Sequence, residues 1–344
     1  MSPPGTSPFW LDILAVGLSL PENAESAQSV MKRESERTES QLAALSVDFR
    51  ARLLLNLGLD AVLCDSDTPS RDRGAQAARK AIDAAGITGK QLGLIIDFTT
   101  LAEDASSLGS LANHVQHSEQ ATSAFVLGTR GAGCCGFHVA LNVAQAFFKS
   151  DPTLEFALLV AADRASRIGR MCLPVSIMAD AASAMVLARP GNASRRIGCV
   201  RAVMTQTSGR FSDVIAADPA TRQVIIDSAT FETQIAPLHF VVLNRLLNRA
   251  LKAAELSRVD IGAIIYPNTT ELDRMSIARA LEFDPNLLLG PGPRNMGHAF
   301  ANDLLINGDS LFKLERSEGG IHSAWLAAGS GFTWGAAIID AIYQ

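Results

Sequence analysis

No Lys/Arg-rich run occurs anywhere in the chain, and 35 acidic residues outnumber 30 basic ones for a formal net charge of -5. A surface without cationic excess has nothing with which to neutralise a line of phosphates, so no nucleic-acid partner is expected. A long apolar run is missing too. Near the start, Leu11–Leu20 is broken by Asp12, Gly17 and Ser19, is stopped by Pro21, and has no basic stretch ahead of it. Neither a signal peptide nor a membrane span fits, which leaves a first strand and the expectation of a cytoplasmic protein with no membrane contact. Cysteine is sparse and odd in number, at 64, 134, 135, 172 and 199, and these read as reduced thiols. Cys134 and Cys135 are adjacent, too close for ordinary disulfide geometry, and the absence of any CxxC pair or HExxH removes the usual ligands of a structural zinc.

With 344 residues, 48% hydrophobic and 19% charged, the chain has the material for a large core split into two domains or two fused halves. Short apolar runs rich in β-branched residues alternate with helical periodicity, the pattern of a layered α/β protein. Strands are expected at Leu11–Leu20, Leu92–Thr99, Ala124–Thr129, Phe156–Ala162 and Ala184–Ala188, with helices over 72–85 and 137–149. Gly86 suits the C-terminus of the first helix. The second half repeats the rhythm: a strand pair near 198–205 and 223–228, a helix near 238–254, a strand at 262–266, a helix near 271–283, and closing strands at 323–328 and 334–340. Element order alone, not residue identity, makes the halves look like copies of one plan. Segments 206–222 and 284–297, rich in Gly, Pro, Asp and Ser, read as loops.

Ala124 to Phe137 (AFVLGTRGAGCCGF) reads as a strand, a small-residue turn and then an apolar helix. A thiol at that turn meets the unpaired N–H groups and the positive end of the helix dipole, which favour the reactive thiolate. The competing reading makes both cysteines small buried hydrophobes.

The segment Gly133-Cys-Cys-Gly-Phe137, followed by VALNVAQAFF and ALLVAADRAS, resembles the nucleophile region of the β-ketoacyl-acyl-carrier-protein synthase III family. The closing run Ala327-Ala-Gly-Ser-Gly-Phe-Thr-Trp-Gly-Ala-Ala-Ile-Ile339 is similar to that family's last glycine-rich turn and strand. The resemblance covers nearly the whole chain and implies an α/β thiolase-like fold of duplicated αβαβα layered halves. Residues 1–190 would carry the nucleophilic Cys134, and 191–344 the Asn/His pair and the closing turn. It further implies an oxyanion hole from the backbone N–H groups of Cys134 and Ser330, an arrangement that stabilises a developing oxyanion whatever the side chains. A tight turn before an edge strand explains the Ser330 segment equally simply.

The family's His and Asn positions are exchanged here. Ile264-Ile-Tyr-Pro-Asn-Thr-Thr270 places Asn268 at the His position, and Asn295-Met-Gly-His-Ala-Phe-Ala-Asn-Asp303 places His298 at the Asn position. His298 is the only one of six histidines in a matched motif. If the fold is kept, an imidazole and an amide converge on the thiol, and the imidazole serves as base to an incoming nucleophile. Asp303 then orients the imidazole as the acid of a Cys-His-acid set; alternatively, Asn302 or Asp303 caps the helix that the run LLINGDSLFKL forms. Met178-Ala-Asp-Ala-Ala182 replaces a Gly-Asp-Gly-Ala turn, leaving Asp180 as a structural residue. Arg274 is one residue off a family position, so no coenzyme A contact is assigned.

These departures direct the functional expectation. Decarboxylative condensation needs His and Asn as joint donors to an enolate oxygen, and their exchange displaces those donors. Branches of the family in specialised, antibiotic and polyketide metabolism instead pass an acyl or aryl group to a hydroxyl, an amine or another carrier. The expectation is therefore an acyltransferase with Cys134, His298, Asn268, Asp303 and Ser330 at its site. Its partners are an acyl carrier protein and a small-molecule acceptor; it binds no permanent cofactor and uses phosphopantetheine or coenzyme A thioesters as substrate. A condensing enzyme and a non-catalytic partner subunit are the alternatives. A homodimer follows from the resemblance.

Overall fold

Nine runs of apolar, largely β-branched or small residues form one mixed sheet. They are β1 (Leu11–Ser19), β2 (Leu92–Asp97), β3 (Phe125–Gly128), β4 (Phe156–Asp163), β5 (Ala181–Ala188), β6 (Gly198–Thr207), β7 (Ile261–Ile265), β8 (Gly320–Gly329) and β9 (Thr333–Ile342). The computed structural model describes residues 10–38, 54–65, 67–101, 110–165, 169–172, 175–191, 196–217, 224–314 and 320–342. The strand order is β7-β8-β9-β6-β1-β5-β4-β2-β3.

That order contains the duplication. From one edge inward, β3, β2 and β4 are mutually parallel, then β5 and β1 are antiparallel to their neighbours. From the other edge, β7 and β8 are parallel, and β9 and β6 follow antiparallel. The counterpart of β3 in the second half is reduced to one parallel bridge, Ile264 with Leu288. The halves meet where β1 pairs β6. We propose that the border between them runs through the connection from β5 to β6, consistent with halves spanning 1–190 and 191–344.

The helices fill three layers. Helices α1 (Ser70–Ala85) and Leu111–Ser118 cover the outer face of the first half-sheet, and α3 (Ala236–Ala253) with α4 (Glu271–Ala280) cover that of the second. Between the half-sheets lie α2 (Gly136–Ser150) and α5 (Asn302–Phe312), sharing one core with Phe137, Leu141, Leu304, Leu305 and Trp325. Helix α2 buries the stripe Phe137, Ala140, Leu141, Ala144 and Phe148, at the i, i+3, i+4 and i+7 spacing of one helix face, and keeps Ala146, Lys149 and Ser150 exposed. Each such fully buried Leu or Phe stabilises the fold by about 1.5–3 kcal/mol. Among the described residues no helix is long and apolar enough to cross a membrane.

Several local expectations change on folding. The segments near 198–205 and 223–228 do not pair with each other, because both edges of β6 are occupied by β1 and β9. Val224–Ile226 instead pairs with Ile215–Ala217, within the span read as a loop, whose residues 218–222 lie outside the described residues. The helix expected to reach 283 stops at Ala280, and Glu282 turns into the left-handed region at φ 62°. Gly86 does close α1, at φ 65°, a conformation that favours glycine.

Candidate active site

The thiol sits on a turn whose tightness is dictated by glycine. Gly133–Cys135 forms a single 3₁₀ turn running directly into α2. Gly133 has φ 54°, and a Cβ there would lie 2.5 Å from Ser330 N. A Cβ on Gly329 would lie 1.9 Å from Ala132 O and 2.7 Å from Cys134 N. No side chain tolerates such approaches, so these glycines let the β8–β9 turn lie directly against the nucleophile turn. Cys134 and Ser330 thereby line the same pocket.

His298 arrives from the second half of the chain but is fastened to the first. His298 N donates to Ile177 O (2.9 Å) and His298 O accepts from Ala179 N (2.9 Å), while Gly297, at φ 76°, lets the backbone pass within reach of Ile177 O. Phe300 adopts φ 58°, strained for a bulky side chain, and its ring lies 5.7 Å from the imidazole centroid. This turn presents His298 Nε2 3.2 Å from Cys134 Sγ.

Asp303 completes the chain of groups. Its Oδ2 lies 2.5 Å from His298 Nδ1 and also accepts from Asn268 N at 2.7 Å. Oδ1 accepts from Ala299 N (2.9 Å) and Asn268 Nδ2 (3.3 Å). The capping alternative for Asn302 and Asp303 does not hold: the N-cap residue of α5 is Ala301, without a side-chain cap, and both residues lie fully buried inside the first turn. Burial works against a charged His298 ring, yet the Cys134 sulfur and the Asp303 carboxylate outweigh it and hold the imidazole well above its usual range.

Over residues 130–206 the chain matches the family of 3-oxoacyl-[acyl-carrier-protein (ACP)] synthase III. β-Ketoacyl-[acyl-carrier-protein] synthase III of Salmonella typhimurium is 29% identical over 283 residues, covering 77% of this chain and 82% of that protein. Among solved structures, ChlB3, an acyltransferase, superposes with a TM-score of 0.81 at 21% identity, covering 98% of this chain and 99% of its own. The 3-oxoacyl-[acyl-carrier-protein] synthase III of Aquifex aeolicus gives 0.79 at 18% identity, covering 96% and 99%. The chain resembles the synthase III family in sequence and shares the fold of these solved structures.

The Asn268 amide does not converge on the thiol, contrary to the expectation from the sequence. The side chain is fully buried and outside the pocket lining. Its Oδ1 accepts from Arg274 Nη1 (3.1 Å) and Asn307 Nδ2 (2.9 Å), and Nδ2 faces Met296 Sδ and Asp303 Oδ1, both at 3.3 Å. Donors on α4 and α5 have turned the amide away from the sulfur and onto Asp303. Arg274, left unassigned in the sequence, is the buried residue that fixes it. Asn268→Ala leaves that guanidinium short of an acceptor, so we expect a stability loss of about 2–4 kcal/mol and a fall of roughly tenfold or less in activity. Calorimetric unfolding and an activity assay check both.

Behind the site, the Asp163 carboxyl is pushed up to about 8 by burial, although Leu101 N and Thr100 N donate to it. It holds Thr100 and Leu101, which line the pocket, and accepts from Asn302 Nδ2 at 2.9 Å. Asp180 is structural, as expected: Arg170 pairs it, and Asp65 N and Ala165 N donate to it. The sequence reading passed over His239, Tyr266 and Asp273, which line the pocket. The one available signal was polar residues within stretches taken as helix and strand.

Proposed function

We propose that the enzyme is an acyltransferase that takes an acyl or aryl group from a carrier-protein phosphopantetheine or coenzyme A thioester onto Cys134. It then passes the group to a hydroxyl, an amine or a second carrier in specialised metabolism. The observation that carries this reading is the unbroken line Cys134 Sγ, His298 Nε2, His298 Nδ1, Asp303 Oδ2, whose first two residues line a pocket of about 290 Å³. ChlB3, described as an acyltransferase, shares the fold.

The cycle follows from charge. In the free enzyme the sulfur raises His298, so the ring holds its proton. Sγ attacks the thioester carbonyl, the oxyanion faces the backbone N–H groups of Cys134 and Ser330, and the C–S bond of the donor breaks as His298 Nε2 protonates the departing thiol. Acylation also removes the sulfur charge that raised the ring, while burial, which lowers it, remains. His298 is then a neutral base with Nδ1–H held by Asp303. It takes the acceptor proton as the acceptor attacks, and Cys134 leaves. Asp303 and Asn268 hold geometry rather than touch substrate. No permanently bound cofactor enters the cycle, and we assign a homodimer by analogy with the family.

Condensation is the second reading, favoured by the names of the synthase III relatives. It needs two donors at an enolate oxygen, and Asn268 is turned away. The test is to mix the acylated enzyme with a panel of alcohols and amines and, separately, with malonyl thioester. We expect acyl transfer without release of carbon dioxide; stoichiometric carbon dioxide with a β-ketoacyl product establishes condensation instead.

A further inference from the structure

One wall of the pocket carries polar groups that the acid–base cycle does not use. Trp334 Nε1 donates to His239 Nδ1 at 3.2 Å, which leaves the His239 proton on Nε2. That N–H donates to Tyr266 Oη (3.0 Å), and the Tyr266 hydroxyl donates to Asp273 Oδ2 (3.1 Å). The same oxygen accepts Thr269 O–H at 2.7 Å. Every donor in the series runs one way, so the wall ends on a carboxylate.

Nothing on that wall supplies a compensating cation. Burial pushes His239 down and Tyr266 well up, so the first stays neutral and the second keeps its proton at ordinary pH. Among the described residues Asp273 makes no ion pair. The adjacent Arg274 is turned to Tyr266 O and Asn268 Oδ1. Oδ1 of Asp273 accepts neither the Tyr266 nor the Thr269 hydrogen bond, and the residue lines a pocket whose apolar lining includes Val175, Ile215, Phe231, Ile235 and Phe332. A carboxylate at the margin of an apolar pocket, with one oxygen fixed and the other open, is matched by a charged hydrogen-bond donor.

We propose that Asp273, held by Tyr266 and Thr269, binds a protonated amino group on the acceptor, making the acceptor class a small molecule that carries an ammonium group besides the hydroxyl or amine that attacks. The proposal rests on the acyl-transfer reading for the attacking group. The ammonium anchors at Asp273 while the nucleophilic group reaches His298 and the acylated Cys134. Asp273 sets which acceptor binds; it takes no proton from the reacting atom.

The probes are 5-aminopentan-1-ol and hexan-1-ol, alike in length and differing in the charged end. Calorimetry on the unacylated wild type reads binding without chemistry: the amino alcohol binds and hexanol does not, and Asp273→Asn loses that preference. Transfer from the acylated enzyme reads the same ratio in kcat/KM. It is expected at about a hundredfold or more in the wild type, carried by KM, and close to one in Asp273→Asn. Tyr266→Phe keeps the charge and retains a reduced preference, which guards against a variant that fails to fold. Equal binding of the two alcohols to the wild type, or an unchanged preference in Asp273→Asn, overturns the proposal. Failure of Cys134 to acylate at all strikes at the acyl-transfer reading, while calorimetry still decides the amine site.

Discussion

Cys134→Ala is expected to fold and to take up no acyl group from any thioester that loads the wild type, with transfer falling at least ~10⁴-fold. Intact-mass spectrometry after incubation with an acyl thioester reads loading directly. The prediction is strict because the other thiols are poor substitutes. Burial pushes Cys64 up to about 11 and Cys172 and Cys199 up to about 12, leaving little thiolate at neutral pH. Cys135 is the severest control, being next in the chain and fully buried, with its thiol also raised. It has its own histidine, His138, with Nδ1 3.8 Å from the sulfur. That ring is pushed down to about 4 by burial and spends Nε2 on the Trp325 carbonyl (2.9 Å), with no carboxylate to favour its charge. Two adjacent Cys–His pairs thus differ in access and in the third group. An acylated Cys134→Ala variant would sink the assignment, and peptide mapping would name the residue responsible.

What the sequence made legible follows the range of the forces involved. The strand and helix periodicities, the closure of α1 at Gly86 and the thiol ahead of α2 are matters of neighbouring residues, and they are visible in the chain. The repeated plan of the halves was visible as element order. Pairing was not: Val224–Ile226 finds Ile215–Ala217 because the edges of β6 are taken by strands from opposite ends of the chain. The site divides in the same way. The motif singles out His298, which lies beside Cys134, but the direction of the Asn268 amide depends on Arg274 in α4 and Asn307 in α5. A cap and an orienting carboxylate are indistinguishable at position 303 until it is known which way the first turn of α5 faces. His239 lies on α3, Tyr266 just past the end of β7 and Asp273 on α4, so no local pattern groups them.

Asp303→Asn is the second large effect, because an amide keeps the shape of the carboxylate and reverses half of its hydrogen bonding. All four groups around Asp303 are donors: His298 Nδ1 and Asn268 N at Oδ2, Ala299 N and Asn268 Nδ2 at Oδ1. An asparagine offers one oxygen and one NH₂, so in either orientation a donor confronts donors in a buried site. We expect a stability loss of about 1–3 kcal/mol for the unsatisfied groups. If the NH₂ faces His298, the ring must accept at Nδ1 and carry its proton on Nε2, where it can no longer take one from the acceptor. If the oxygen faces His298, geometry survives but the carboxylate charge is gone. Either way transfer is expected to fall by roughly 10³–10⁴, the scale on which a catalytic histidine depends on its orienting acid. A scaffold role alone predicts lost stability with an unchanged pH profile, so the profile decides. His298 is raised in the folded protein, so its contribution to stability is complete below the ordinary histidine range and is lost as pH rises through the raised value. Removing Asp303 takes away one cause of that rise. The alkaline limb of Cys134 acylation, where the imidazolium that protonates the departing thiol disappears, should therefore move to lower pH in Asp303→Asn. An unmoved limb with transfer within tenfold of wild type would reduce Asp303 to a structural residue and leave the ring oriented by Phe300 and the 177–179 segment alone.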